Sequence, residues 1–129
     1  MKDNGTDRDI ALLMATALSD IASLVGTINA NLYAPAIVTQ PTNIENVSIN
    51  DDVTFSVVAV NATAYQWQRK DPDGIWVNAT STGADTAEWS FRVASNAFFT
   101  RLYRCKITGK DGSNIYTNEV QIIQAQAQG

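Results

Sequence analysis

A chain of 129 residues with no histidine and a single cysteine has few routes to covalent chemistry. Without an imidazole, Ser-His-Asp and Cys-His relays cannot be assembled, and histidine metal sites are excluded. The one thiol, Cys105, is a nucleophile only where a base or cation lowers its pKa, and buried without such a neighbour it is inert. Carboxylate pairs are the remaining route. Asp51-Asp52, Asp71, Asp73 and Asp85 could supply the two acids of a glycosidase, but each lies among Asn, Gly or Pro residues. In such turns aspartate is favoured because its side chain bonds the local backbone. Asp71, Asp73 and Asp111 could offer oxygen ligands to calcium, yet the spacing matches no Asp-x-Asp-x-Asp-Gly loop. The expectation is a non-enzyme with no catalytic residue, no metal site and no cofactor. Recognition chemistry is better represented: Trp76 and Tyr116, with the Asn-rich turns, are the candidate contacts for a glycan. Strand aromatics also serve packing, and the sequence leaves both roles open.

Whatever these residues do, one ordinary domain and a modest appendage must position them, since 129 residues are too few for two domains. A hydrophobic fraction of 45%, a charged fraction of 17% and a net charge of −4 describe a soluble protein, with no bias toward nucleic acid or an anionic membrane. One cysteine forms no internal disulfide, so a core alone must hold the fold. Three acids precede the first apolar stretch, and polar residues at Thr16, Ser19, Asp20 and Ser23 interrupt it. We therefore expect neither a signal peptide nor a membrane-inserted helix, and a protein that is cytoplasmic or exported by a route needing no leader. The Asn-x-Ser/Thr triplets at Asn4, Asn46, Asn61 and Asn78 are read as chance in an Asn- and Thr-rich chain.

Residues 1–34 are expected to form a helix for oligomerisation or docking. Ile10, Met14, Ala17, Ile21, Leu24 and Ile28 fall alternately four and three apart, the seam of a left-handed coiled coil. Ala11, Leu18, Val25 and Leu32 widen the stripe, and Thr6 or Asp7 can cap the first turn. Gly26 costs up to about 1 kcal/mol relative to alanine, so the helix needs a partner. Self-association is favoured, as a trimer, because Ile10, Ala17 and Leu24 lack the Leu regularity of a dimer at the d positions. Docking into a larger assembly is the other role the stripe allows, and packing on the chain's own β layers is the alternative.

From residue 35 to 124 the pattern becomes short strands separated by turn signals. The expected strands are Ala36 to Gln40, Val47 to Ile49, Val53 to Val60, Ala64 to Lys70, Ile75 to Val77, Ala87 to Val93, Phe98 to Thr108 and Asn114 to Gln124. Asp71-Pro72-Asp73-Gly74 and Lys110-Asp111-Gly112-Ser113 are the clearest turns. Residues 125–129 read as a frayed tail.

The order of an apolar strand through Val57, then Tyr65-Gln66-Trp67-Gln68, then Leu102-Tyr103-Arg104-Cys105 resembles the immunoglobulin-like superfamily. The resemblance implies an all-β sandwich of seven or eight strands. Its core would be marked by Val57, Trp67, Tyr103 and Cys105, with Cys105 inward beside Trp67. Val57 stands where the family's first cysteine would be, so the inter-sheet disulfide is absent. Asp73-Gly74-Ile75-Trp76 also resembles a pattern of the cysteine-poor modules in bacterial surface and phage virion proteins. It implies a structural or adhesive virion protein made in the host cytoplasm, a decoration or fibre protein displaying one such domain at the virion surface, with a capsid or tail scaffold protein as a partner beside its own copies. The alternative is a glycan-binding or adhesion module on a bacterial cell surface.

Overall fold

A computed structural model describes residues 32–126. The stripe residues Ile10, Met14, Ala17, Ile21, Leu24 and Ile28 lie outside that range, as do residues 127–129. The chain divides into two units, Met1–Tyr33 and Ala34–Gly129. Every strand among the described residues belongs to the second unit.

The regular structure of that unit is β apart from a 3₁₀ turn at Asn96–Thr100. One group of strands comprises β1 (Ala36–Thr39), β3 (Asp52–Ser56), β4 (Val58–Val60) and β7 (Glu88–Arg92). Here β1 pairs with β4 and β3 with β7, all antiparallel. β3 and β4 are one extended run interrupted only at Val57, whose N–H still reaches Ala87 O at 3.0 Å. The other group comprises β2 (Ile44–Val47), β5 (Ala62–Lys70), β6 (Val77–Asn78), β8 (Leu102–Gly109), β9 (Asn114–Tyr116) and β10 (Ile122–Gln124). Four of these form an antiparallel sheet in the order β6-β5-β8-β9. Val120 bridges to Tyr103 beyond the end of β9, and β10 then pairs in parallel with β2.

The two-residue side-chain period of a strand decides which residues the core receives. Along β8, Tyr103, Cys105, Ile107 and Gly109 are buried while the residues between them are partly exposed. β3 alternates in the same way through Val53 and Phe55. These faces meet through rings: Phe55 lies 5.9 Å from Trp67 and 5.2 Å from Tyr103, and Trp67 lies 6.1 Å from Trp89, centroid to centroid. Trp67 is wholly buried, opposite Cys105 in register, and its indole N–H donates to Thr86 O at 2.8 Å. Each large apolar side chain so enclosed stabilises the fold by about 1.5–3 kcal/mol.

The turns depend on asparagine as much as on glycine. Asn50 and Asn61 adopt φ of 80° and 59°, and Asn46, inside β2 where its pairing shifts register, adopts 61°, a left-handed region that asparagine tolerates better than other residues with a Cβ. Asn61 also donates from its side chain to Ala34 O at 3.0 Å, tying the start of the unit to the turn before β5.

Several expected boundaries move. The strand expected at Val47 to Ile49 is found at Ile44–Val47, because Ser48 and Asn50 enter a turn in which Asp51 accepts the Ser48 N–H at 2.8 Å. β5 begins at Ala62, since Asn61 makes the reversal alone. Ile75 and Trp76 precede β6, which is confined to Val77–Asn78. Asn96–Thr100 winds into the 3₁₀ turn, so the Tyr-x-Cys strand starts at Leu102. The expected last strand divides into β9 and β10, with Thr117 turned inward between them to bond the Cys105 N–H through its hydroxyl at 2.8 Å. Ala125 still donates to Val47 O at 2.8 Å, so the expected fraying does not begin there.

Candidate functional site

Arg104 follows Tyr103 and precedes Cys105 on β8; both neighbours are buried, so the strand period turns its side chain to the opposite face. Its register partner on β5 is Gln68, and the partner of Gln68 on β6 is Asn78. The three side chains bond in a row: Arg104 Nε donates to Gln68 Oε1 at 2.8 Å, and Gln68 Nε2 donates to Asn78 Oδ1 at 2.9 Å. Both functional ends of the glutamine are thereby used, fixing the near side of the guanidinium.

Two rings pack against it. Arg104 Cζ lies 4.1 Å from the centroid of Trp76 and 4.1 Å from that of Tyr116. Trp76 is delivered by the Asp71–Gly74 turn, closed by Gly74 N–H to Asp71 O at 3.0 Å. Tyr116 comes from β9, opposite Lys106. Each cation–π contact contributes about 0.5–1 kcal/mol at such an exposed site. Trp76 is half-buried and Tyr116 46% exposed, so the clamp leaves ring surface open to solvent. The two aromatics singled out in the sequence therefore meet on one guanidinium. Arg104 itself is legible in sequence only as an outward residue between inward ones.

The strands beneath this group carry charge of one sign, while the turn before Trp76 brings Asp71 and Asp73. Strands β5, β6, β8 and β9 contain Arg69, Lys70, Arg104 and Lys106 and no aspartate or glutamate, in a chain of net charge −4. Arg69 shares the inward parity of Trp67 and turns to Asp71 at 3.6 Å, leaving Lys70, Arg104 and Lys106 on the outward parity. Lys70 Nζ stands 5.6 Å from the Trp76 ring. Among the described residues, neither terminal guanidinium nitrogen of Arg104 meets a protein acceptor and no carboxylate pairs with it.

A second candidate is a cleft of about 460 Å³ floored by Trp89, Phe91 and Tyr103 and rimmed by Arg69, Arg92 and Arg101. Its cations already have carboxylates. Arg101 Nε donates to Asp71 at 2.8 Å, Arg69 approaches the same carboxylate, and Arg92 lies 3.7 Å from Asp52. The Trp89 indole N–H is likewise spent on Ser81 Oγ at 2.8 Å. The cleft has the size of a ligand pocket, but its three arginines face carboxylates, unlike Arg104.

The carboxylates weighed for catalysis or calcium are dispersed. Asp71 serves its two arginines, Asp51 caps the Ser48 N–H, and Asp111 Oδ1 accepts from the backbone and hydroxyl of Ser113 at 3.0 and 2.7 Å. Those Ser113 bonds, the backbone one first, hold the Asp111 carboxyl below its ordinary range. Burial pushes the Cys105 thiol up to about 12 and raises the Tyr103 phenol. Each of these shifts leads away from neutrality, the reverse of what acid–base or nucleophilic work requires. Among the described residues no three acids or cysteines gather as a metal site. Val57, Trp67, Tyr103 and Cys105 share one buried cluster. This arrangement can hold a ligand by stacking and charge. No protein-family model matches the chain, and no curated protein matches its sequence.

Proposed function

We propose that this is a non-enzymatic display and adhesion protein. In this reading an immunoglobulin-like sandwich presents the outer face of its four-stranded sheet, and residues 1–34 join copies or dock on a scaffold protein. The observation that carries the recognition role is the contact of Arg104 with both Trp76 and Tyr116, over strands free of acids. Strand pairing supports the fold assignment: β1, β3/β4 and β7 correspond to strands A, B and E, and β5, β6, β8 and β9 to C, C′, F and G. The Tyr103 hydroxyl donates to Phe98 O, five residues upstream, at 3.3 Å, in the manner of a tyrosine corner. The setting, a phage virion surface as a decoration or fibre protein, rests on the resemblance to cysteine-poor phage modules.

Light scattering tests the assembly role. The full chain is expected to run as an oligomer, a trimer by the heptad argument, and Ile21→Asp with Leu24→Asp to reduce it to a monomer. A wild-type chain that is monomeric at every concentration and docks on no scaffold removes that role.

The second reading, a glycan-binding or bacterial surface adhesion module, is favoured by the partial exposure of Trp76 and Tyr116 around one guanidinium. On a glycan array the wild-type chain should bind and Trp76→Ala and Tyr116→Ala should lose the signal. Equal binding by all three would contradict it.

A further inference from the structure

Resting on the recognition reading above, we infer that the outer face takes an acidic polysaccharide and that Arg104 receives its anionic group. A guanidinium is a planar fork that pairs in bidentate fashion with a carboxylate or sulfate. In most surface arginines the fork is mobile or already paired. Here Nε is bound to Gln68 and the guanidinium rests against two rings, each centroid 4.1 Å from Cζ. Two terminal nitrogens remain with no protein acceptor among the described residues, so little side-chain freedom is left to lose on binding. Lys106 and Lys70 add charge on the same strand face, and the four strands contribute no acid that would repel an anion.

A saccharide fits this surface better than an acidic peptide. Peptides that extend a sheet bind along an edge through backbone hydrogen bonds, whereas this group lies on the face and offers side chains. The exposed parts of Trp76 and Tyr116 suit the C–H face of a pyranose, and the Asn78 amide, exposed beside Gln68, suits its hydroxyls. The cleft lacks this character because Asp71 and Asp52 answer its arginines.

The test uses the full chain at near-physiological salt against immobilised hyaluronan and polygalacturonate, their carboxyl-reduced forms, dextran sulfate, dextran and poly-L-glutamate. A charged polysaccharide should be bound, and removal of its acidic group should weaken binding about 10- to 100-fold. Loss on carboxyl reduction identifies a uronic acid, and binding of dextran sulfate alone identifies a sulfate ester. Arg104→Gln should lose a similar factor and Arg104→Lys most of it, whereas Lys110→Gln, which removes an equal charge at the β8–β9 turn, should change little. Should Arg104→Gln fail to fold, Tyr116→Leu carries the test, since it removes one ring and no charge yet should weaken binding. Equal affinity for native and reduced polymers, with Arg104→Gln unaffected, would overturn the acidic assignment and leave recognition standing. Poly-L-glutamate bound as tightly as the polysaccharides would overturn the saccharide class. Binding to none of the polymers would overturn both this inference and the recognition reading.

Discussion

Cys105 lies on the same strand as Arg104 and behaves oppositely. Its thiol, ordinarily near 9.0, is pushed up to about 12 by burial, and the Tyr103 phenol moves in the same direction. A folded-state pKa above the unfolded value means that the folded chain holds its proton more tightly. That contribution is complete below pH 9 and is lost as pH rises toward 12, at about 1.4 kcal/mol per pH unit for the thiol. We expect the urea midpoint to fall above pH 9 and to fall less steeply in Cys105→Ala; parallel pH profiles would contradict this. Alkylation of native protein at about pH 8 should be negligible until the chain unfolds. Trp67→Ala empties the centre of the ring cluster and should cost about 3–5 kcal/mol in denaturant unfolding. These core residues were legible because Tyr65-Gln66-Trp67 and Tyr103-Arg104-Cys105 are local spellings. The role of Arg104 was not, because it depends on Gln68, Trp76 and Tyr116, which reach it only once three strands and a turn have come together.

The elements show a similar division between local and distant causes. The turns at Asp71–Gly74 and Gly109–Ser113 could be read from Pro, Asp and Gly, and both close with the expected backbone bonds. Strand ends were less legible, since tertiary partners set them. Thr117 keeps its N–H on Cys105 O but answers the Cys105 N–H with its hydroxyl in place of a carbonyl, and Asn61 reverses the chain to serve Ala34. Gly109 presents another constraint hidden from the sequence: a Cβ there would overlap the ring of Pro35, a residue far earlier in the chain. Gly109→Ala should therefore destabilise the unit by about 1–3 kcal/mol. The double variant with Pro35→Ala should recover part of that loss in a double-mutant cycle. Strict additivity of the two changes would mean that the ring and the glycine are not in contact.

At the scale of the molecule, composition alone describes a mildly acidic protein and argues against anionic partners. Folding separates what composition averages. The strands of the four-stranded sheet gather four cations and no acids, while acids sit in turns and on other strands. Net charge thus describes the chain poorly as seen by a ligand approaching that face, and local potential governs the encounter. Rising salt should weaken polysaccharide binding by wild type and weaken it less in a Lys70→Gln, Lys106→Gln variant.

The chain's three tryptophans distinguish the outer face from the cleft within one experiment. Trp67 and Trp89 donate their indole N–H groups to Thr86 O and Ser81 Oγ, whereas the Trp76 indole N–H has no protein acceptor among the described residues. In a ¹H–¹⁵N titration with a polysaccharide that binds, the Trp76 indole signal should move while those of Trp67 and Trp89 stay in place. Movement of the Trp89 signal with Trp76 unchanged would put the ligand in the cleft and remove the outer face as its site.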